Sequence, residues 1–121
     1  MKKILVVDDE PDYLKLLQCR LSGFGYVVVT IESGKNILMD ARSSKPDLII
    51  LDVNIPEING FEVYGMLHRD SSLSHIPVIF SSADAANYDF FQKNEYPNAR
   101  FLTKPFENKE IQEAIAKLLA K

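Results

Sequence analysis

Five short apolar runs, at residues 4–7, 26–31, 48–51, 77–80 and 100–103, recur along the chain with stretches of helical period between them. Each run is almost free of polar residues, and several are rich in Val and Ile. Strands read this way when both faces of their sheet are covered. Between the runs, Leu14, Leu17 and Leu21 fall at helical spacing, with Gly23 and Gly25 as stop signals. Ile37, Leu38 and Ala41 mark a second helix that ends before Pro46. A third is predicted over 60–69, with Phe61, Tyr64 and Leu67 as its apolar stripe, and a fourth over about 85–95, stopping before Pro97. The last starts near Asn108, the expected N-cap, and carries Ile111, Ile115, Leu118 and Leu119. Five strands alternating with five helices predict an α/β fold. Parallel strands need right-handed crossovers, and these place a helix layer on each face of the sheet: a three-layer α/β/α sandwich. The length of 121 residues suits a single domain spanning 1–121, with no repeat or Gly/Ser-rich linker.

Composition narrows the function. A net charge of −3 argues against an electrostatic grip on nucleic acid or an anionic membrane. The apolar run at the N-terminus is cut short by Asp8-Asp9, too early for a signal core. No apolar run approaches the ~20 residues of a membrane helix. The single cysteine, Cys19, has no internal partner, so the expected setting is a reducing cytoplasm.

In open parallel sheets, ligands bind at the carboxyl edge of the strands. The residues just after the runs therefore matter most. They are Asp8-Asp9, Glu32-Ser33, Asp52, Ser81-Ser82 and Lys104-Pro105. An Asp after a strand is often only a turn former or a helix cap. Three carboxylates, a hydroxyl and a lysine at one edge are a different matter, because together they suit phosphoryl transfer. Two unit charges at ~4 Å repel by roughly 4 kcal/mol at an effective dielectric of ~20, so Asp8, Asp9 and Asp52 need a counter-charge. Mg²⁺ suits a site of few carboxylates plus water and phosphate oxygens, and Lys104 neutralises one more charge. Such a site favours the charge that develops on a transferring phosphoryl group. Asp52, leaving a middle strand, is the best candidate nucleophile. A dinucleotide fingerprint and a P-loop are both absent, and one Cys with two distant His argues against zinc. His68 and His75 read as surface and loop residues.

The acidic pair Asp8-Asp9, the segment Leu51-Asp52-Val53-Asn54-Ile55-Pro56-Glu57-Ile58-Asn59-Gly60, the run Ile76-Pro77-Val78-Ile79 leading to Ser82-Ala83, and Lys104-Pro105-Phe106 resemble the receiver domains of two-component response regulators. The resemblance covers essentially the whole chain, in order. It implies a flavodoxin-like sheet of strand order 2-1-3-4-5. It also implies a phosphorylation-activated switch, in chemotaxis or a phosphorelay, rather than an enzyme acting on other molecules. Asp52 would take a phosphoryl group from a partner histidine kinase, a phosphotransfer protein or a small phosphodonor. Asp9, Asp52 and the backbone carbonyl of Asn54 would hold Mg²⁺, with Asp8 acting mainly through water. Ser82 and Lys104 would hold the phosphoryl group, and the Lys104–Pro105 bond would be cis. Ser82 would then move inward and Phe101 would rotate behind it, changing the surface of the fourth and fifth helices and the last strand.

This chain departs from the family's common pattern with Ser82 for threonine, Phe101 for tyrosine and Pro97 for glycine. None of these removes a catalytic group. Asn54 and Asp84, two residues beyond Asp52 and Ser82, occupy positions expected to tune phosphoryl lifetime; their polar side chains suggest a short one. The fourth helix is aromatic, and Tyr88 and Phe90 point about 160° apart at about 100° per residue, so at least one is expected on the output face. Phe91 is expected to pack on the sheet. Three other readings stand beside the stand-alone switch: the N-terminal receiver of a longer regulator with a DNA-binding or enzymatic output domain, a flavodoxin-like nucleotide-binding enzyme, and a receiver that takes no phosphate.

Overall fold

In the computed structural model, which describes residues 1–120, the elements are β1 (Lys3–Val7), α1 (Pro11–Gly23), β2 (Val27–Ile31), α2 (Ile37–Ser44), β3 (Leu48–Asp52), α3 (Gly60–Arg69), β4 (Val78–Ser82), α4 (Ala85–Lys93), β5 (Ala99–Thr103) and α5 (Asn108–Leu119). Lys121, the last residue of the expected domain span, lies outside the described residues. The five strands form one parallel sheet in the order β2-β1-β3-β4-β5, as the family resemblance implied.

Alternation along the strands divides the core in two. Ile4, Val6, Leu48, Ile50 and Ile79 face α1 and α5, where they meet Leu14, Leu17, Leu21, Ile111, Ile115 and Leu118. Their neighbours Leu5, Val7, Ile49, Leu51, Val78 and Phe80 face the other way, toward α2 and α3. Every residue of β3 and β4 is buried, which explains their unbroken apolar reading. The edge strands β2 and β5 are only partly covered.

The expected strands and helices are all present, with ends shifted by one or two residues. β3 and β4 run on to include Asp52 and Ser82, and α4 stops at Lys93 rather than Glu95. One expectation is corrected: α5 is capped by Glu107, not Asn108. The Glu110 carboxylate accepts the Glu107 backbone N–H at 2.9 Å, while Asn108 Oδ1 accepts from Arg20 Nε at 2.7 Å and so serves a different helix. In α3, Val63 joins Tyr64 and Leu67 in the core, and Phe61 is half-buried against an aromatic cluster. Phe80 centres that cluster, with the rings of Phe61, Tyr64, Phe91 and Tyr96 between 4.9 and 5.7 Å away.

Gly25 ends the α1 turn at φ 95°, a backbone that other residues enter at a cost. Gly60 is needed for closeness instead. A Cβ there would lie 2.9 Å from both the Asp52 carbonyl oxygen and Val53 Cα. That contact seats α3 directly under the end of β3. We expect Gly60→Ala to lose about 1–3 kcal/mol, because backbone rather than a flexible side chain must yield. Urea unfolding measures this; a variant as stable as the parent would contradict it.

Candidate functional site

The carboxyl edge of the sheet gathers the residues singled out from the strand ends. Asp8, directly after β1, is 1% exposed. Its Oδ1 accepts the Glu10 backbone N–H at 3.0 Å and its Oδ2 accepts from Lys104 Nζ at 2.8 Å. Asp52, the last residue of β3, is 6% exposed and its Oδ2 lies 3.6 Å from the same Nζ. Its Oδ1 accepts the Asn54 backbone N–H at 3.2 Å. Asp9 is exposed, yet ligand atoms of Asp8, Asp9 and Asp52 all lie within 4.8 Å of one another. Lys104 comes from the loop after β5, where its peptide bond to Pro105 is cis and its N–H donates to the Ser82 carbonyl at 2.9 Å.

Asp8 and Asp52 thus share one ammonium, with the Asp9 carboxylate beside them. Burial raises the Asp52 carboxyl above its ordinary range; Lys104 opposes the rise, and the charges of Asp8 and Asp9 add to it. Burial also works against the Lys104 ammonium, but its bond to Asp8 and the charges of Asp52 and Asp8 outweigh this and hold its pKa up. The cluster offers hard oxygen donors at one mouth with negative charge in excess, a set able to coordinate a divalent cation such as Mg²⁺.

Ser82, 1% exposed at the end of β4, sits beside this cluster. Its Oγ accepts from Asn87 Nδ2 at 2.8 Å, the Asp84 backbone N–H at 3.0 Å and Asn54 Nδ2 at 3.3 Å. Asp84 caps α4, its Oδ1 accepting from the Ala86 backbone N–H at 2.9 Å. Phe101 on β5 is half-buried, with Phe91 at 5.6 Å and Tyr88 at 5.4 Å. Both Tyr88 (41%) and Phe90 (47%) are exposed, and they lie on different neighbours: Tyr88 on Phe101, Phe90 on Phe61 at 4.7 Å. Phe91 packs against Phe80 on the sheet. Pro97 holds its loop through its carbonyl, which accepts from the Tyr64 hydroxyl at 2.6 Å. His68 and His75 are both exposed, on α3 and in the loop before β4, away from the carboxylates.

Two residues at the site were not evident from the sequence. Tyr13 lies under Lys104, with Nζ 4.2 Å from the ring centroid, and burial raises its phenol pKa. Asn87 holds Ser82 from α4. Each is the third residue of a helix that starts just past a strand end, so its first turn faces the same edge. That placement is the signal that could have found them.

Fold and site together define a receiver domain, and the chain belongs to the response regulator receiver domain family, whose sequence profile matches residues 4–116. In this family, catalysis is confined to the domain's own phosphorylation and dephosphorylation. The chain is 36% identical over 118 residues to the alkaline phosphatase synthesis transcriptional regulatory protein PhoP of Bacillus subtilis, covering 98% of this chain and 48% of that one. It is 32% identical over 120 residues to protein PilH of Pseudomonas aeruginosa, covering 99% of each. Among solved structures, the response regulator TrrA of Thermotoga maritima, in complex with Mg²⁺ and BeF, superposes with a TM-score of 0.85 at 34% identity, over 98% of this chain and 100% of that one. The chain spans about half the length of the transcriptional regulators among its curated relatives. Among the described residues, no helix is long and apolar enough to cross a membrane.

The raised Asp52 carboxyl carries a sign. A carboxyl whose folded pKa exceeds its unfolded value favours the fold at low pH and loses that contribution as pH rises through the folded value. At neutral pH without a divalent cation, Asp52→Asn is therefore expected to melt a few degrees above the parent. The gap should close as pH falls. It should also close as Mg²⁺ is added, since a ligand at a hundred times its Kd stabilises the parent by about 2.7 kcal/mol. Thermal melts with and without Mg²⁺ test this; a variant melting below the parent in chelator would refute it.

Proposed function

We propose that the chain is a phosphorylation-activated signalling switch with Asp52 as phosphoacceptor. One observation carries the proposal: Lys104 Nζ reaches both Asp8 and Asp52 within a three-carboxylate cluster at the sheet's carboxyl edge. An Asp52 carboxylate oxygen attacks phosphorus, and the bond from phosphorus to the donor's histidine nitrogen (or to a small phosphodonor's oxygen) breaks. The product is an acyl phosphate on Asp52, and the electron pair leaves with the donor. Asp9, Asp52 and the Asn54 backbone carbonyl would hold Mg²⁺, with Asp8 supporting the site from beside them. When bound, Mg²⁺ supplies the positive charge that lets carboxylate and phosphoryl oxygens approach. Lys104 and the Ser82 hydroxyl bind the phosphoryl oxygens.

The expected partners are a histidine kinase or phosphotransfer protein upstream and an output protein downstream, in the cytoplasm. Phe101 carries the change outward, because this half-buried ring on β5 rests against both Phe91 and the exposed Tyr88 of α4. Residues 1–121 act as one receiver unit without direct nucleic-acid binding or membrane insertion. Two settings remain compatible with this switch. PilH, matched over 99% of its length, is an example of a relative no longer than a receiver; a receiver of that kind would signal by protein contact. The half-length match to transcriptional regulators favours a receiver joined to a DNA-binding output.

Exposure to acetyl phosphate with Mg²⁺ should add the mass of one phosphoryl group, and Asp52→Ala should abolish the gain. No gain in the parent would sink the proposal. In the same assay, Asn54→Ala and Asp84→Ala are expected to slow phosphate loss several-fold, because the Asn54 side chain bonds Ser82 and the polar Asp84 side chain stands two residues beyond it at the start of α4; decay at the parental rate would remove them from that role. Tyr88→Ala or Phe90→Ala should weaken capture of the output partner while leaving phosphorylation intact. Parental capture by both variants would place the output surface elsewhere.

A further inference from the structure

Helix α4 has no buried side chain, and its first turn is tied to the phosphorylation site chiefly through one residue. Asn87 Nδ2 makes the shortest hydrogen bond to Ser82 Oγ, 2.8 Å, and also donates to Asn54 Oδ1 at 3.3 Å. The amide orientation is set by this pair of contacts. Turned over, Asn87 would place its own Oδ1 against Asn54 Oδ1, two acceptors face to face.

Ser82 Oγ receives three N–H donors but has only two lone pairs, so its accepting side is saturated. Two of the donors are anchored independently of Ser82. The Asp84 N–H belongs to the backbone leaving β4, and Asn54 sits on the loop after Asp52. Asn87 alone brings in a side chain from the body of α4.

We propose that Asn87 is a positioning residue that latches Ser82 in its resting rotamer, so that phosphorylation must release the start of α4 before Ser82 can serve the phosphoryl group. The inference rests on the phosphoacceptor role of Asp52. In the proposed switch, Oγ turns about the Cα–Cβ bond toward Asp52 to donate to a phosphoryl oxygen. Its lone pairs then leave the Asn87 amide. The latch therefore favours the unphosphorylated form, and its loss shifts the population toward the phosphoryl-bound form. This route to α4 is separate from the one through Phe101, because it acts on the helix's first turn and needs no aromatic movement.

The test is titration with beryllofluoride and Mg²⁺, followed by NMR on the uniformly labelled chain. Asn87→Leu, similar in size but unable to donate, is expected to bind beryllofluoride roughly five-fold more tightly than the parent, about the effect of one ordinary hydrogen bond. Asn87→Ala should do the same. In a Ser82→Ala background, the Asn87→Leu change should have no effect, since no hydroxyl remains to be held. In the parent, the Asn87 side-chain amide signals should shift when beryllofluoride binds. Unchanged or weaker binding by both Asn87 variants, an equal effect with and without the Ser82 hydroxyl, or amide signals that stay put would each overturn the latch while leaving the phosphoacceptor role standing. A parent that binds no beryllofluoride would overturn both.

Discussion

Lys104 Nζ sits 2.8 Å from Asp8 and 3.6 Å from Asp52, and most of the site follows from that arrangement. Two of the three carboxylates at the sheet edge are almost fully buried, where mutual repulsion is poorly screened. Without the ammonium they could not share one mouth at neutral pH. With it, a negative excess remains that a further cation can relieve. The folded chain is thus held short of its most favourable charge balance, which is what makes the site receptive. Lys104 is itself fixed from several sides. Asp8 accepts from its Nζ, Tyr13 lies beneath that ammonium, and the Lys104 backbone N–H donates to the Ser82 carbonyl. A receptive site needs a rigid cation as much as it needs acidic residues.

Stability is unevenly distributed around that site. β3 and β4 are buried along their whole length, so Asp52 and Ser82 stand at the ends of the most strongly packed strands. α4, by contrast, buries no side chain, and it contacts the rest through half-covered aromatics. Elements with few buried contacts are the ones that can rearrange at modest cost. The candidate site thus stands on the most fully buried strands, with a weakly held helix beside them. Tyr88 on Phe101 and Asn87 on Ser82 are two separate connections between the two.

Much of this was legible from residues 4–7, 48–51 and 77–80, whose short, unbroken apolar character is that of strands covered on both faces. The candidate site was legible too, because Asp8, Asp9, Asp52, Ser82 and Lys104 each stand at or just past the end of a strand. A parallel sheet brings every such position to one edge. Other features depended on competition between neighbours and were not readable in this way. Asn108 looked like the cap of α5, but Arg20, eighty-eight residues away in sequence, engages its side chain, and Glu107 takes the cap. Tyr88 and Phe90 could not both face the core, and in the fold neither is buried, since each rests on a ring from a different element.

The linear sequence, then, determined the layers, the parallel sheet and the gathering of carboxylates, hydroxyl and lysine at one edge. These follow from periodicity and from the geometry of parallel crossovers, both of which are local. Tertiary structure alone decided that Lys104 bridges Asp8 and Asp52 above the Tyr13 ring, and that Asn87 holds Ser82. Those contacts join residues from separate elements within a few tenths of an ångström, and no local pattern encodes such distances. They exist because two helices begin just past strand ends and turn their first residues toward the same edge.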